Sequence, residues 1–149
     1  MSGNFEMAKK SLYELFKEVE ALETRKEKIA KLQEIGQPAW TVLAYTFSPT
    51  AKWLLPEGAP PYKPVAEGSD IEGQFYTELR KLYLFIEGPT DTQKNLKQTR
   101  REELFINLLE SIDPKDAKLL IGMKDGKLPF KGITKKLTME AFPEGTKDW

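Results

Sequence analysis

Thr24-Arg25-Lys26-Glu27-Lys28-Ile29-Ala30-Lys31-Leu32-Gln33-Glu34-Ile35-Gly36 reads as one complete helix with both of its ends written in. Thr24 and Glu27 have the spacing of a capping box, in which the hydroxyl and the carboxylate each satisfy an orphan backbone N–H. Ile29, Leu32 and Ile35 form an apolar stripe, and Gly36 supplies the stop. Towards the N-terminus, Phe5, Ala8, Leu12, Leu15, Phe16, Val19 and Leu22 recur at spacings of three and four. They predict a helix from about Phe5 to Leu22 with a charged opposite face, paired with the Thr24 helix as a hairpin. On the other side Pro38 suits a first helical position, and Pro38 to Tyr45 reads as a mostly buried third helix ending before Ser48-Pro49.

From Pro49 to Gly68 the prolines 49, 56, 60, 61 and 64 deny both helix continuation and ladder hydrogen bonds. Trp53, Leu54, Leu55, Tyr62 and Val65 interleave them, so the loop is expected to pack over the helices. Ser69 and Glu72 repeat the capping-box spacing before Ile71, Phe75, Leu79, Leu82, Tyr83 and Ile86, with Gly88 closing that helix. Thr99 and Glu102 do the same before Leu104, Phe105, Leu108, Leu109 and Ile112. Asp113-Pro114 reads as N-cap and first position of a helix ending near Met123. Gly126, Pro129 and Gly132 punctuate a basic turn, and Thr134 to Phe142 forms a last short helix before Pro143 and a polar tail. The expectation is an all-α fold: a compact single domain, residues 1–149, of about seven helices with a proline-rich aromatic loop.

The chain of 149 residues contains no His and no Cys. That excludes disulfides, zinc fingers and any Ser-His-Asp or Cys-His machinery. Neither a signal peptide nor an apolar run long enough for a membrane span is present, so the expectation is a soluble cytoplasmic protein with no membrane partner. No phosphate-binding glycine loop occurs. Glu102-Glu103 and Glu18-Glu20 read as solvated helix faces. Lys124-Asp125-Gly126 is one residue short of the nucleotidyl-transferase signature Lys-x-Asp-Gly, and reads as a helix end closed by glycine beside a solvated Lys-Asp pair. The protein is expected to be no enzyme, with no cofactor and no metal.

Twenty-three basic residues balance 23 acidic ones, but unevenly along the chain. Lys94 to Arg101 reads KNLKQTRR, with Arg100 and Arg101 at its end, and Lys115 to Lys136 holds seven Lys against Asp116 and Asp125. Within the second run, Gly132 allows close backbone approach, and the following helix start offers free N–H groups. Lys127, Lys131, Lys135 and Lys136 surround that point, and the Thr134 hydroxyl serves either as a cap or as a donor to phosphate. Composition leaves two readings open: a solvated helix start or a site for phosphate.

Two stretches carry a resemblance. Pro38-Ala39-Trp40-Thr41-Val42-Leu43-Ala44-Tyr45-Thr46-Phe47-Ser48-Pro49, followed by Lys52-Trp53-Leu54-Leu55-Pro56, is similar to the helix-then-proline segment near the start of bacteriophage-type ATP-dependent DNA ligases. Glu102-Glu103-Leu104 through Leu108-Leu109, then Lys118 to Asp125, Gly132 to Leu137 and Ala141-Phe142-Pro143, resembles the end of the same all-helical N-terminal domain. The resemblance implies a DNA-binding domain that lies on the minor groove and grips backbone phosphates. Gly132, Thr134, Lys135 and Lys136 match its glycine turn and helix start, and Lys124 a basic position at the preceding helix end. No counterpart of the ligase catalytic domain follows within these residues, so adenylylation, metal binding and nick sealing are not implied. The expected function is that of a non-catalytic accessory protein of phage type, in the host cytoplasm, bound to duplex DNA through Lys124, Lys127, Lys131, Gly132, Thr134, Lys135, Lys136, Arg100 and Arg101. The alternative is a module docking a phage or host replication, transcription or defence protein, anchored by Trp53 and Tyr62.

Overall fold

A computed structural model describes residues 10–66 and 73–149. Among them are eight α-helices and one 3₁₀ segment: α1 Leu12–Ala21, α2 Arg25–Ile35, α3 Gln37–Phe47, α4 Gln74–Glu78, the 3₁₀ segment Leu79–Phe85, α5 Asp91–Asn95, α6 Gln98–Leu109, α7 Pro114–Asp125 and α8 Lys135–Ala141. The fold is all-α, as the apolar periodicity requires. Its only strand-like feature among the described residues is an isolated antiparallel bridge between Trp53 and Ile86.

The start of α1 comes later than the apolar stripe indicates. Ser11 is extended and its hydroxyl accepts from Glu14 N at 3.1 Å, which makes it the N-cap and Leu12 the first helical residue. Phe5 and Ala8 lie outside the described residues. The Thr24–Glu27 capping box forms in full, and α3 begins at Gln37 with Pro38 in its first turn. Leu12, Leu15, Phe16 and Val19 meet Leu32 and Ile35 of α2, Ala39, Val42 and Leu43 of α3, and Leu119, Leu120 and Met123 of α7 in one buried core.

The helix expected from Ile71 to Ile86 is instead a short α-helix running into 3₁₀ geometry. Ile71 and the Ser69–Glu72 pair lie outside the described residues. Leu79, Leu82 and Phe85 stand three apart and are all buried, a spacing that matches the three residues per turn of a 3₁₀-helix better than the 3.6 of an α-helix. The segment ends at Ile86, before Gly88, because the backbone there turns extended to pair with the loop. Leu54 N donates to Phe85 O at 2.7 Å, and Glu87 N to Lys52 O at 2.9 Å.

Thr99 does not cap α6. The N-cap is Lys97, with no side-chain bond, and Thr99 lies inside the first turn. The capping box in this region belongs to Thr90 and Gln93, which open the unexpected helix α5. Gln93 is buried, and beyond the box its amide donates to Tyr83 O at 3.0 Å and Ile86 O at 3.1 Å.

Asp113 caps α7 as its sequence indicates, accepting from Lys115 N at 2.8 Å. The proline loop packs on the helices as expected: Trp53 Nε1 donates to Tyr45 O at 2.9 Å, and Leu55 and Tyr62 cover the core. Residues 143–149, polar in composition, are folded back rather than trailing. Thr146 is buried, and Trp149 stacks on Trp40 with ring centroids 5.9 Å apart.

Candidate nucleic-acid interface

The basic turn joins α7 to α8 and is pinned from beneath. At the end of α7, Gly126 takes the left-handed conformation at φ 72°, which closes the helix. Phe130 and Ile133, both buried, then drive into the core between the lysines. The Phe130 ring stacks on Phe16 at 5.9 Å and tilts against Tyr13 at 5.1 Å. Gly132 sits at φ 79°, where an L side chain is strained, and Thr134 Oγ1 accepts from Leu137 N at 3.2 Å to cap α8.

Apolar side chains pointing inward from a tight turn leave the polar ones outward. Lys127, Lys131, Lys135 and Lys136 are all exposed. None of them has a carboxylate within ion-pair distance among the described residues. These four, with Gly132 and Thr134, are the part of the expected site that the fold brings together.

The backbone of the turn is less open to an anion than the sequence indicates. The Thr134 hydroxyl is engaged as the cap. The Lys131 N–H donates to the carboxylate of Glu20, at the end of α1. Glu20 also accepts from Lys17 Nζ at 2.8 Å. The Lys17 hydrogen bond, and then the Lys131 amide, hold its carboxyl below the usual range. Lys28 passes beneath the turn, its Cε 4.0 Å from the position a Cβ on Gly132 would take, and its ammonium caps the C-terminus of α1 through Val19 O and Glu20 O at 3.1 and 2.8 Å.

Two cations expected at the interface are withdrawn from it. Lys124, read as half of a solvated pair, is buried: its side chain is 2% exposed, and Nζ donates to Pro56 O at 2.8 Å and to the Asp125 carboxylate. Asp125 in turn accepts from Gly58 N, so the pair ties the proline loop to the end of α7. Arg101 is buried too. Its guanidinium donates to Leu84 O at 3.0 Å, Gln98 Oε1 at 2.9 Å and Gln93 O at 2.8 Å, closing the 3₁₀ segment and α5 against α6. Arg100 stays exposed, in an ion pair with Glu103 at 3.2 Å.

The residues of the alternative reading are half-buried. Trp53 meets Tyr45 edge-on at 6.2 Å and uses its only N–H inside the molecule, and Tyr62 packs on the core. A cleft of about 420 Å³ opens between the proline loop and α6, lined by Pro56, Pro60, Pro61, Phe105, Ile106 and Lys124 among others.

One chemically notable group has no counterpart in the sequence reading. Asp116, in the first turn of α7, is fully buried. Its Oδ1 accepts from Tyr13 N at 2.9 Å, its Oδ2 has no hydrogen-bond partner among the described residues, and burial pushes its pKa up to about 7. In sequence it is one acid in a lysine-rich run, with nothing to mark it as internal. Among the described residues no group of three or more acidic side chains is placed to hold a metal ion, and no helix is long and apolar enough to cross a membrane.

Residues 15–129 match the model of a family of unknown function, DUF6433. The chain belongs to that family. The DUF6433 match runs from α1 through the end of α7, taking in Arg100, Arg101, Lys124, Lys127, Trp53 and Tyr62, and stops before Lys131. No curated protein and no solved structure matches the chain.

Proposed function

We propose that this protein binds duplex DNA through backbone phosphates as a non-catalytic, cytoplasmic accessory protein of phage type. The observation that carries the reading is the set Lys127, Lys131, Lys135 and Lys136. All four are exposed and without an ion-pair partner among the described residues, on a turn held by Phe130 and Ile133. A turn already fixed by its apolar residues adds no backbone ordering cost when its lysines meet phosphates, and counterions are released when they do. Such contacts carry no base identity, so unrelated sequences bind about equally. The resemblance of this turn to the glycine turn of the ligase N-terminal domain supports the same reading.

The test is a mobility-shift titration at low salt with duplex, nicked and single-stranded DNA, on the wild type and on a variant with Lys131, Lys135 and Lys136 replaced by Ala. The reading holds if duplex binds and the triple variant binds at least tenfold more weakly. Absence of duplex binding by the wild type overturns it.

A second reading, docking of a phage or host protein, draws on the apolar cleft between the proline loop and α6. In that version the loop, held by Trp53, Lys124 and Asp125, is the contact surface.

A further inference from the structure

The Glu20 carboxylate occupies a position built from anion-binding parts. Lys17 Nζ donates to it at 2.8 Å, and the Lys131 backbone N–H donates to its other oxygen. The Lys28 ammonium makes no ion pair with the carboxylate but adds its positive charge to the site, bonded to two main-chain oxygens of α1 and retaining a third N–H. Gly132, next to the donating amide, takes a φ of 79° and puts no side chain of its own there, the Lys28 Cε lying 4.0 Å from where its Cβ would stand. Both groups that bond the carboxylate, Lys17 Nζ and the Lys131 amide, are donors, and Lys131, Lys135 and Lys136, without an ion-pair partner among the described residues, border the same turn. The seat is open to solvent, since the Glu20 side chain remains 21% exposed.

A phosphodiester presents the same element that Glu20 presents, a pair of charged acceptor oxygens on one centre. We propose that Glu20 is an internal stand-in for a phosphate: it fills an anion seat formed by Lys17, Lys28 and the Lys131 amide, and a phosphate group binds there by displacing it. The inference rests on the DNA reading for the source of the phosphate, and it adds a specific contact and a brake. With Glu20 in place, the seat is neutralised and a passing phosphate meets a like charge. Swung aside, the carboxylate leaves its donors to the newcomer.

The experiment follows backbone amide NMR shifts during titration with inorganic phosphate, and separately with a short duplex. It compares the wild type with Glu20→Gln and with Glu23→Gln, an exposed acid nearby that lies outside the seat. Glu20→Gln is expected to bind phosphate about five- to tenfold more tightly than wild type, the change a unit charge about 4 Å away produces at a water-exposed site. The Lys131 and Gly132 amides should move most, and Glu23→Gln should gain less than twofold. Thermal unfolding of Glu20→Gln checks that the turn stays folded, and Glu20→Ala repeats the titration without any amide in the seat. Equal gains from Glu20→Gln and Glu23→Gln, or a Lys131 amide that does not respond in Glu20→Gln or Glu20→Ala, overturn the proposal and leave Glu20 as a tether of the turn. Phosphate binding at Lys131 in Glu20→Gln with no duplex binding by any variant keeps the seat and removes the DNA reading. Salt-sensitive duplex binding that Glu20→Gln does not strengthen does the reverse.

Discussion

Arg101 and Lys124 direct their charge at carbonyl oxygens and side chains of their own chain, whereas Lys127, Lys131, Lys135 and Lys136 hold theirs in water. Lys124 of the first set and Lys127 of the second stand only three residues apart in sequence and are the same residue type. What separates them is the local demand for hydrogen-bond donors. The end of the 3₁₀ segment and the short helix α5 leave carbonyls of Leu84 and Gln93 without helical partners, and the proline loop leaves that of Pro56. A buried cation placed among such oxygens organises loops that cannot organise themselves. Around the turn from Lys127 to Thr134, Phe130 and Ile133 already fix the chain, so its lysines are released from structural duty.

Replacing members of each set should break this contrast if it is wrong. The largest effect is expected for Arg101→Met, which fills the volume but leaves the carbonyls of Leu84 and Gln93 unpaired. Unfolding in urea should show a loss of about 3 kcal/mol, the cost of hydrogen bonds to a charged donor removed from one side. Lys124→Met should cost about 2 kcal/mol by the same argument, since Asp125 keeps its bond to Gly58 and part of its hydration. A loss below 0.5 kcal/mol in either variant would place that residue with the solvated set.

Asp116 sharpens the comparison from the acidic side, because it is a buried carboxyl with one hydrogen-bond partner among the described residues where Arg101 has three. Its folded pKa is raised to about 7, so between about pH 4 and pH 7 the folded state keeps a proton that the unfolded chain has released. Stability should therefore fall as pH rises through that window, by up to about 1.4 kcal/mol per unit, and level off above it. Asp116→Asn should flatten the profile. A wild-type stability that rises from pH 4 to 7, with the same curve in Asp116→Asn, would contradict this.

The smallest effect on folding belongs to the exposed set. Lys135→Ala with Lys136→Ala should change stability by less than about 0.5 kcal/mol, as should Arg100→Ala, which gives up one surface ion pair. Thermal melts would detect a larger shift.

Much of the helical frame was legible in the sequence because its signals are local. The Thr24–Glu27 box, the Asp113-Pro114 start, the Gly126 stop and the Thr134 cap each satisfy backbone groups within one turn. The region from Gln74 to Gln98 was not, since the spacing of Leu79, Leu82 and Phe85 suits an α-helix almost as well as a 3₁₀-helix. The bridge to the loop that stops the segment comes from residues more than thirty positions away. At the candidate interface, the exposure of the four lysines followed from the apolar residues between them. The burial of Lys124 and Arg101 did not, because the partners distant in sequence that draw them inward are main-chain oxygens of Pro56, Leu84 and Gln93, and every residue type offers one.

The salt dependence of duplex binding tests the central claim most directly. If the exposed lysines neutralise phosphates, log K should fall linearly with log salt, by about 0.9 for each contact, and Lys135→Ala with Lys136→Ala should reduce that slope by up to about 2 while leaving the melting temperature in place. No duplex binding at low salt, or a slope unchanged in the double variant, would contradict the account.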